Sequence, residues 1–267
     1  EILMHTQNLV QKLHYDVVYG DTDSIMINTN STDYDEVLKI GHNIKQMVNK
    51  IYKQVELDID GVFKYLLLLK KKKYAAMTIS KDKAGTFILN KELKGLDIVR
   101  RDWSQIAVMA GNVILGEILS DNELDDRIQN IHVHLEKFHE NIEQGSVPLP
   151  LFTITKQLTK NPKEYSNGQS LPHVVVALRM NSENSRRFKK GDMIPYIICE
   201  DGSELPATHR SYHIEEYKSS EGKLKIDKNY YLAQQIHPVV TRLCEPIEGI
   251  DASQIAGSLG LDPSAFK

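Results

Sequence analysis

The residues best suited to chemistry are Asp21 and Asp23, two apart in Gly20-Asp21-Thr22-Asp23-Ser24. In an extended or tightly turned backbone this spacing lets both carboxylates face the same way. Two carboxylates about one side-chain length apart repel, and each makes the other harder to ionise. A divalent cation removes that penalty. Hard oxygen donors suit magnesium, which takes one or two protein carboxylates and completes its shell with water and substrate phosphates. The chemistry suggested is metal-assisted phosphoryl or nucleotidyl transfer. Two other readings stay open on this motif, a plain turn whose Asp and Ser bond their own backbone and an Asp-x-Asp sugar-nucleotide transferase. A phosphatase-type Asp-x-Asp is disfavoured, because an apolar strand follows at once where that site expects a loop. An EF-hand is excluded, because Ile25 and Met26 stand where it needs an oxygen ligand and a glycine.

A second group is basic. Lys70-Lys71-Lys72-Lys73-Tyr74 follows the apolar run Leu66–Leu69, and Lys94-Gly95-Leu96-Asp97-Ile98-Val99-Arg100-Arg101-Asp102-Trp103 comes soon after. Gly95 would let backbone approach a ligand closely. Arg100 and Arg101 could fork onto phosphates, held in turn by Asp97 or Asp102. Lysine and arginine on adjacent strands suit a nucleic-acid backbone or minor groove; the alternative is an ordinary solvated surface. The chain carries a net charge of −3, yet residues 61–103 hold eleven Lys or Arg against four acids. That window is +7 and the remainder −10, so a polyanion should be met there.

The elements that must position these groups follow from local pattern. Ile2, Leu3, Leu9, Val10 and Leu13 read as a helix already under way, the mark of a piece of a longer polypeptide. Asp16–Tyr19 and Ile25–Ile27 are β-prone runs around the acids, which predicts a hairpin with the acids at its tip. Asp33 with Glu36 predicts a helix start, and Val37, Ile40, Ile44, Met47, Ile51 and Val55 then form one apolar face. Leu57-Asp58-Ile59-Asp60 alternates as a strand, continuing through Val62–Leu69. Tyr74–Ile79, Thr86–Leu89 and Glu92–Leu96 are further strands. Helices are predicted over 103–120 and 125–144. Met193–Cys199 reads as a strand, and Tyr230–Ile236 and Pro238–Ile247 as two helical pieces, with Pro238 at a helix start.

The 267 residues are 41% hydrophobic and 26% charged, which excludes wholesale disorder. No apolar run approaches the roughly 20 residues needed to cross a bilayer. Residues 1–5 lack the basic start and cleavage pattern of a signal peptide. Two cysteines, Cys199 and Cys244, are too few for a disulfide framework or a four-ligand zinc site, which points to a reducing intracellular compartment.

Together, Tyr19-Gly20-Asp21-Thr22-Asp23-Ser24 resembles motif C of the family B DNA polymerases, Lys71-Lys72-Lys73-Tyr74 resembles that family's Lys-Lys-Arg/Lys-Tyr segment, and Lys94–Asp102 resembles the block that follows it. Leu66–Leu69, Trp103 and Tyr230-Tyr231-Leu232-Ala233-Gln234-Gln235-Ile236-His237-Pro238 extend the likeness over essentially the whole chain, toward a eukaryotic replicative member. The resemblance implies an α/β (α+β) fold: an antiparallel palm sheet carrying the acidic hairpin, in residues 1–103, then a mainly helical thumb with some strands, 104–267.

It also implies a template-directed DNA polymerase that joins a deoxynucleoside triphosphate to a primer 3′-hydroxyl at two magnesium ions. Asp23 would be the principal metal-binding carboxylate, Asp21 its neighbour, and Asp60 a further one, with Asp58 as fallback. Lys71, Lys72 and Lys73, supported by Tyr74, would track the minor groove at the primer end. Lys94, Gly95, Arg100 and Arg101 would hold the primer backbone. Tyr230–Pro238 is read as packing rather than DNA contact. The implied partners are an RNA–DNA primer on a DNA template, dNTP, primase and an accessory subunit, in the nucleus. An Asp-x-x-Ser-Leu-Tyr-Pro motif, a Lys-x-x-x-Asn-Ser-x-Tyr-Gly helix and a cysteine-rich zinc module are not found in the sequence. This predicts a fragment that cannot polymerise alone. A non-catalytic nucleic-acid clamp and a sugar-nucleotide transferase remain the rival readings.

Overall fold

The computed structural model describes residues 2–267, which divide into two compact units, the first running to Gly95 and the second from Leu96 to Lys267. The division falls before Trp103 because Leu96 and Ile98 are buried with the second unit. A Cβ on Gly111 would lie 2.6 Å from Ile98 Cγ2, so Ile98 packs directly on helix backbone there.

In the first unit, α1 (Ile2–Lys12) leads into β1 (Asp16–Gly20) and β2 (Ile25–Asn28), an antiparallel hairpin. Asp33 caps α2 (Tyr34–Ile51) as its spacing predicts, its carboxylate accepting from the Glu36 N–H. Val10 of α1 and Ile44 and Val48 of α2 form a small core, packed by Leu13, Val17, Ile25, Ile27 and Ile40. The helix stops at Ile51, so Val55 falls outside the apolar face and is half exposed.

Leu57–Asp60 is not a strand. The Asn49 side chain donates to the Leu57 carbonyl at 3.0 Å and accepts from its N–H at 2.7 Å, taking both groups a neighbouring strand would have used. β3 (Val62–Lys70), β4 (Lys73–Lys81) and β5 (Phe87–Lys94) form an antiparallel sheet in that order, β5 absorbing two predicted strands into one. Among the described residues the acidic hairpin pairs only with itself, as a sheet separate from this one.

The second unit mixes helices with one antiparallel sheet. Ser104 caps α3 (Gln105–Ile118), a largely buried helix, and α4 (Leu124–Glu143) follows. Then come α5 (Leu149–Phe152), β6 (Ile154–Gln157), α6 (Pro172–Ser182), β7 (Met193–Glu200), β8 (Ser211–His213), α7 (Ile214–Ser219) and β9 (Lys225–Ile226), with β7 pairing to β6, β8 and β9. The last run is α8 (Lys228–Tyr230), a π-helical segment Tyr231–Ile236, α9 (His237–Cys244) and α10 (Ala252–Ser258).

Pro238 stands in the first turn of α9 as expected, and the π-helical segment runs into it without a break, so the two predicted pieces form one continuous rod. Proline has no N–H and its ring crowds the carbonyl four residues back, and the widened π turn ahead of it accommodates both. Tyr231 in this rod is fully buried, its hydroxyl accepting from the Ile198 N–H at 3.0 Å, and Gln235 accepts from the Ser104 N–H at 2.9 Å. Both side chains are buried and bonded within the second unit. Cys199 and Cys244 are free and buried, and burial pushes both thiols up to about 12. No helix among the described residues is long and apolar enough to cross a membrane.

Candidate functional site

The acids sit where the hairpin turns. Gly20 pairs with Ile25, and the Asp21 N–H donates to the Ser24 carbonyl at 2.9 Å, so Asp21–Ser24 is the tip. The register slips between Val17 and Tyr19, leaving Val18 without a partner and 45% exposed. Such a bulge increases local twist and re-aims the residues beyond it.

Asp21 is half-buried, and its carboxyl is held below the usual carboxylate range, first by the Thr22 backbone N–H and then by the Lys72 ammonium. Asp23 is exposed and makes no hydrogen bond or ion pair among the described residues. Two anionic hard-oxygen donors, one of them uncommitted, fit a divalent cation. Among the described residues no three His, Cys, Asp or Glu side chains gather as a metal cluster, so Asp60 does not join Asp21 and Asp23 in one. Asp58 is spent elsewhere: it pairs with Lys45 at 2.8 Å, which lowers its pKa.

The lysines are held on a tight turn. Lys70 pairs with Lys73 across β3 and β4, leaving Lys71 and Lys72 as the loop, all four exposed. Lys72 has φ +62°, a left-handed conformation uncommon for a residue with a Cβ. Its N–H donates to the Tyr19 hydroxyl at 2.8 Å, and its ammonium lies 3.8 Å from Asp21 Oδ2. Gly95, at φ +61°, closes the other side: a Cβ there would stand 2.3 Å from the Lys72 carbonyl oxygen. The backbone that approaches Gly95 closely is thus the chain's own.

Tyr74 pairs with Leu68 and Lys94 on either side, and its hydroxyl donates to Glu92 at 3.2 Å. Burial, then Glu92, raises its pKa. Lys94 is exposed, with its ammonium 3.8 Å from Glu92.

The structure thus brings Asp21, Lys72 and Gly95 together within the first unit. Arg100 and Arg101 belong to the second unit, both exposed. Arg100 lies 3.5 Å from Asp102, as its neighbourhood predicts, but Asp97 pairs with Arg242, whose guanidinium also stacks 5.5 Å from the Trp103 ring centre. Tyr19 and Arg242 are the residues that local reasoning missed. Nothing in the spacing points from Arg242 to Asp97, whereas Tyr19 was signalled only by adjoining the acidic motif.

The family described as DNA polymerase family B matches residues 1–247. The DNA polymerase alpha catalytic subunit of Drosophila melanogaster is 63% identical over the whole chain, and those of Mus musculus and Xenopus laevis are 55% and 53% identical. In each case the chain spans 18% of the relative's length. The family B DNA polymerase of Pyrobaculum calidifontis has a similar fold, with a TM-score of 0.68 at 22% identity, covering 94% of this chain and 29% of that one. Acidic hairpin, lysine turn and glycine thus stand in a chain that belongs to the family B DNA polymerases.

Proposed function

We propose that this chain is the C-terminal part of the palm and the thumb of a replicative, template-directed DNA polymerase. The observation that carries the reading is the Asp21–Ser24 tip set beside the Lys71–Lys72 turn, with the Lys72 ammonium 3.8 Å from Asp21. Acids that can hold a cation and lysines that can hold phosphates then serve the same end of a primer. Family membership removes the sugar-nucleotide transferase reading, which left the basic segments without a role.

Asp23, uncommitted and exposed, would be the principal ligand of magnesium, with Asp21 beside it partly neutralised by Lys72. Bound magnesium would supply activation of the primer 3′-hydroxyl and charge relief at the leaving pyrophosphate. Lys71, Lys72 and Lys73 would meet primer phosphates or the minor-groove edge, on a turn stiffened by Tyr74 in the sheet. Lys94, Arg100 and Arg101 would continue the contact along the primer backbone. Asp60, exposed near Tyr74, is the weaker ligand candidate. The remaining ligands and the triphosphate grip would come from the rest of the polymerase, so the 267 residues alone would not polymerise. Primer–template, dNTP, primase, an accessory subunit and a nuclear setting complete the reading on resemblance alone.

The test is primer extension with magnesium by the full-length polymerase carrying Asp23→Asn, with primer–template binding measured alongside. Extension should fall at least ~100-fold, the loss of several kcal/mol of transition-state stabilisation, with binding within about twofold. Unchanged extension would leave the hairpin structural and favour a nucleic-acid clamp.

A further inference from the structure

We propose that Tyr19 is a positioning residue: its hydroxyl fixes the Lys71–Lys72 turn, so that the lysines present to the primer in one geometry relative to the acidic hairpin. The proposal rests on the primer-binding reading above and adds a device to it.

Lys72 adopts φ +62°, which a residue with a Cβ rarely does without support. The turn is a loop of two residues, and the Lys72 N–H lies outside the strand ladder, which resumes at Lys73. The Tyr19 hydroxyl meets that N–H at 2.8 Å. Tyr19 itself is held by pairing to Met26 just beyond the bulge at Val18, on the strand that runs into Asp21. One strand therefore ends in the acids and, through a side chain, grips the turn that carries the lysines.

On its other face the Lys72 carbonyl packs on Gly95, whose missing Cβ is what makes room for it. The N–H and the carbonyl of one residue are thereby fixed by two different segments, and the exposed side chains of Lys71 and Lys72 project from a fixed backbone. Tyr19 touches no reacting group in this scheme. It acts through Lys72.

The experiment compares the wild-type full-length polymerase with three variants: Tyr19→Phe, Lys71→Ala/Lys72→Ala, and the triple combination. Removing the hydroxyl should raise the primer–template KM about 3- to 10-fold, the range one such hydrogen bond supports, with kcat within about twofold. In the Lys71→Ala/Lys72→Ala background the same change should have a much smaller effect on KM, because the turn then lacks the two side chains whose position it sets. Hydrogen exchange at the Lys72 amide should quicken in Tyr19→Phe. Conversely, the proposal is overturned by an unchanged Lys72 exchange rate, by an equal KM change in both backgrounds, or by a silent Tyr19→Phe where the lysine variant raises KM. If the lysine variant itself leaves KM unchanged, the primer-binding reading is what has failed, and the role of Tyr19 falls with it. The lysine variant therefore tests the primer-binding reading, and Tyr19→Phe compared in the two backgrounds tests the role of Tyr19.

Discussion

The carbonyl oxygen of Lys72 occupies the space that a side chain on Gly95 would need, 2.3 Å from where a Cβ would stand. Two basic motifs separated in the sequence by two strands are thereby locked at their glycine and their turn. Gly95 also has φ +61°, so its replacement meets both backbone strain and a backbone atom that has no flexible end to swing away.

Gly95→Ala is accordingly expected to destabilise the first unit locally by about 2–4 kcal/mol, combining left-handed strain with overpacking. Hydrogen exchange over residues 70–74 in the full-length protein should accelerate. Primer–template affinity should fall in parallel, since the displaced atom belongs to the lysine turn. Wild-type exchange in the alanine variant would mean that the turn relaxes without cost.

Duplex binding should weaken with salt in proportion to the phosphates neutralised. Each lysine of Lys71–Lys73 that meets a phosphate contributes about 0.9 to the slope of log affinity against log salt. Replacing Lys71 by alanine should shallow the slope by that amount and weaken all sequences alike. An unchanged slope would show that this exposed ammonium meets no phosphate.

Tyr231→Phe separates packing from DNA contact in the second unit. The change strands the buried Ile198 N–H, whose partner is the Tyr231 hydroxyl, at a cost of about 1–3 kcal/mol. The melting temperature should fall, while the primer–template dissociation constant at a temperature well below melting stays within about twofold of wild type. A selective loss of affinity with unchanged melting would give this segment a direct role at the duplex.

His173 is expected to make the second unit acid-sensitive. It is 3% exposed, its Nδ1 has no hydrogen-bond partner among the described residues, and burial, followed by the Lys156 charge, lowers its pKa from 6.5 to about 4. Above about pH 6.5 the imidazole is neutral in folded and unfolded chains alike, and the full stability is present. As pH falls from 6.5 toward 4, the unfolded chain takes up a proton that the folded chain refuses. Stability then drops by up to about 1.4 kcal/mol per pH unit. His213, whose pKa is lowered by burial, adds to the trend in the same direction. Melting temperatures between pH 7.5 and 4.5 should show a shallower decline for His173→Leu than for wild type. Parallel profiles would place the acid sensitivity elsewhere.

Much of the first unit is legible from local pattern. The hairpin, the capped start of α2 and the strands flanking the lysines follow from alternation, helical spacing and turn residues, each of which acts over a few residues. The same locality explains the errors. Leu57–Asp60 alternates like a strand, but alternation records which side faces inward and not what meets the backbone, and here the Asn49 amide does. Pro238 does stand in the first turn of α9, as its type predicts, but the gap expected ahead of it is absent: a π-helical segment runs directly into that start.

By itself, then, the sequence determined the chemical inventory: which residues can carry charge on a cation or a phosphate, and which family's motifs they form. Tertiary structure alone decided their partners. Tyr19 and Lys72 are 53 residues apart and Asp97 and Arg242 145 apart, and in neither pair does any spacing rule connect the two. Periodicity specifies a face, whereas a hydrogen bond needs two particular atoms within about 3 Å. Only the folded chain, once its strands are in register and its turns set, brings such atoms together.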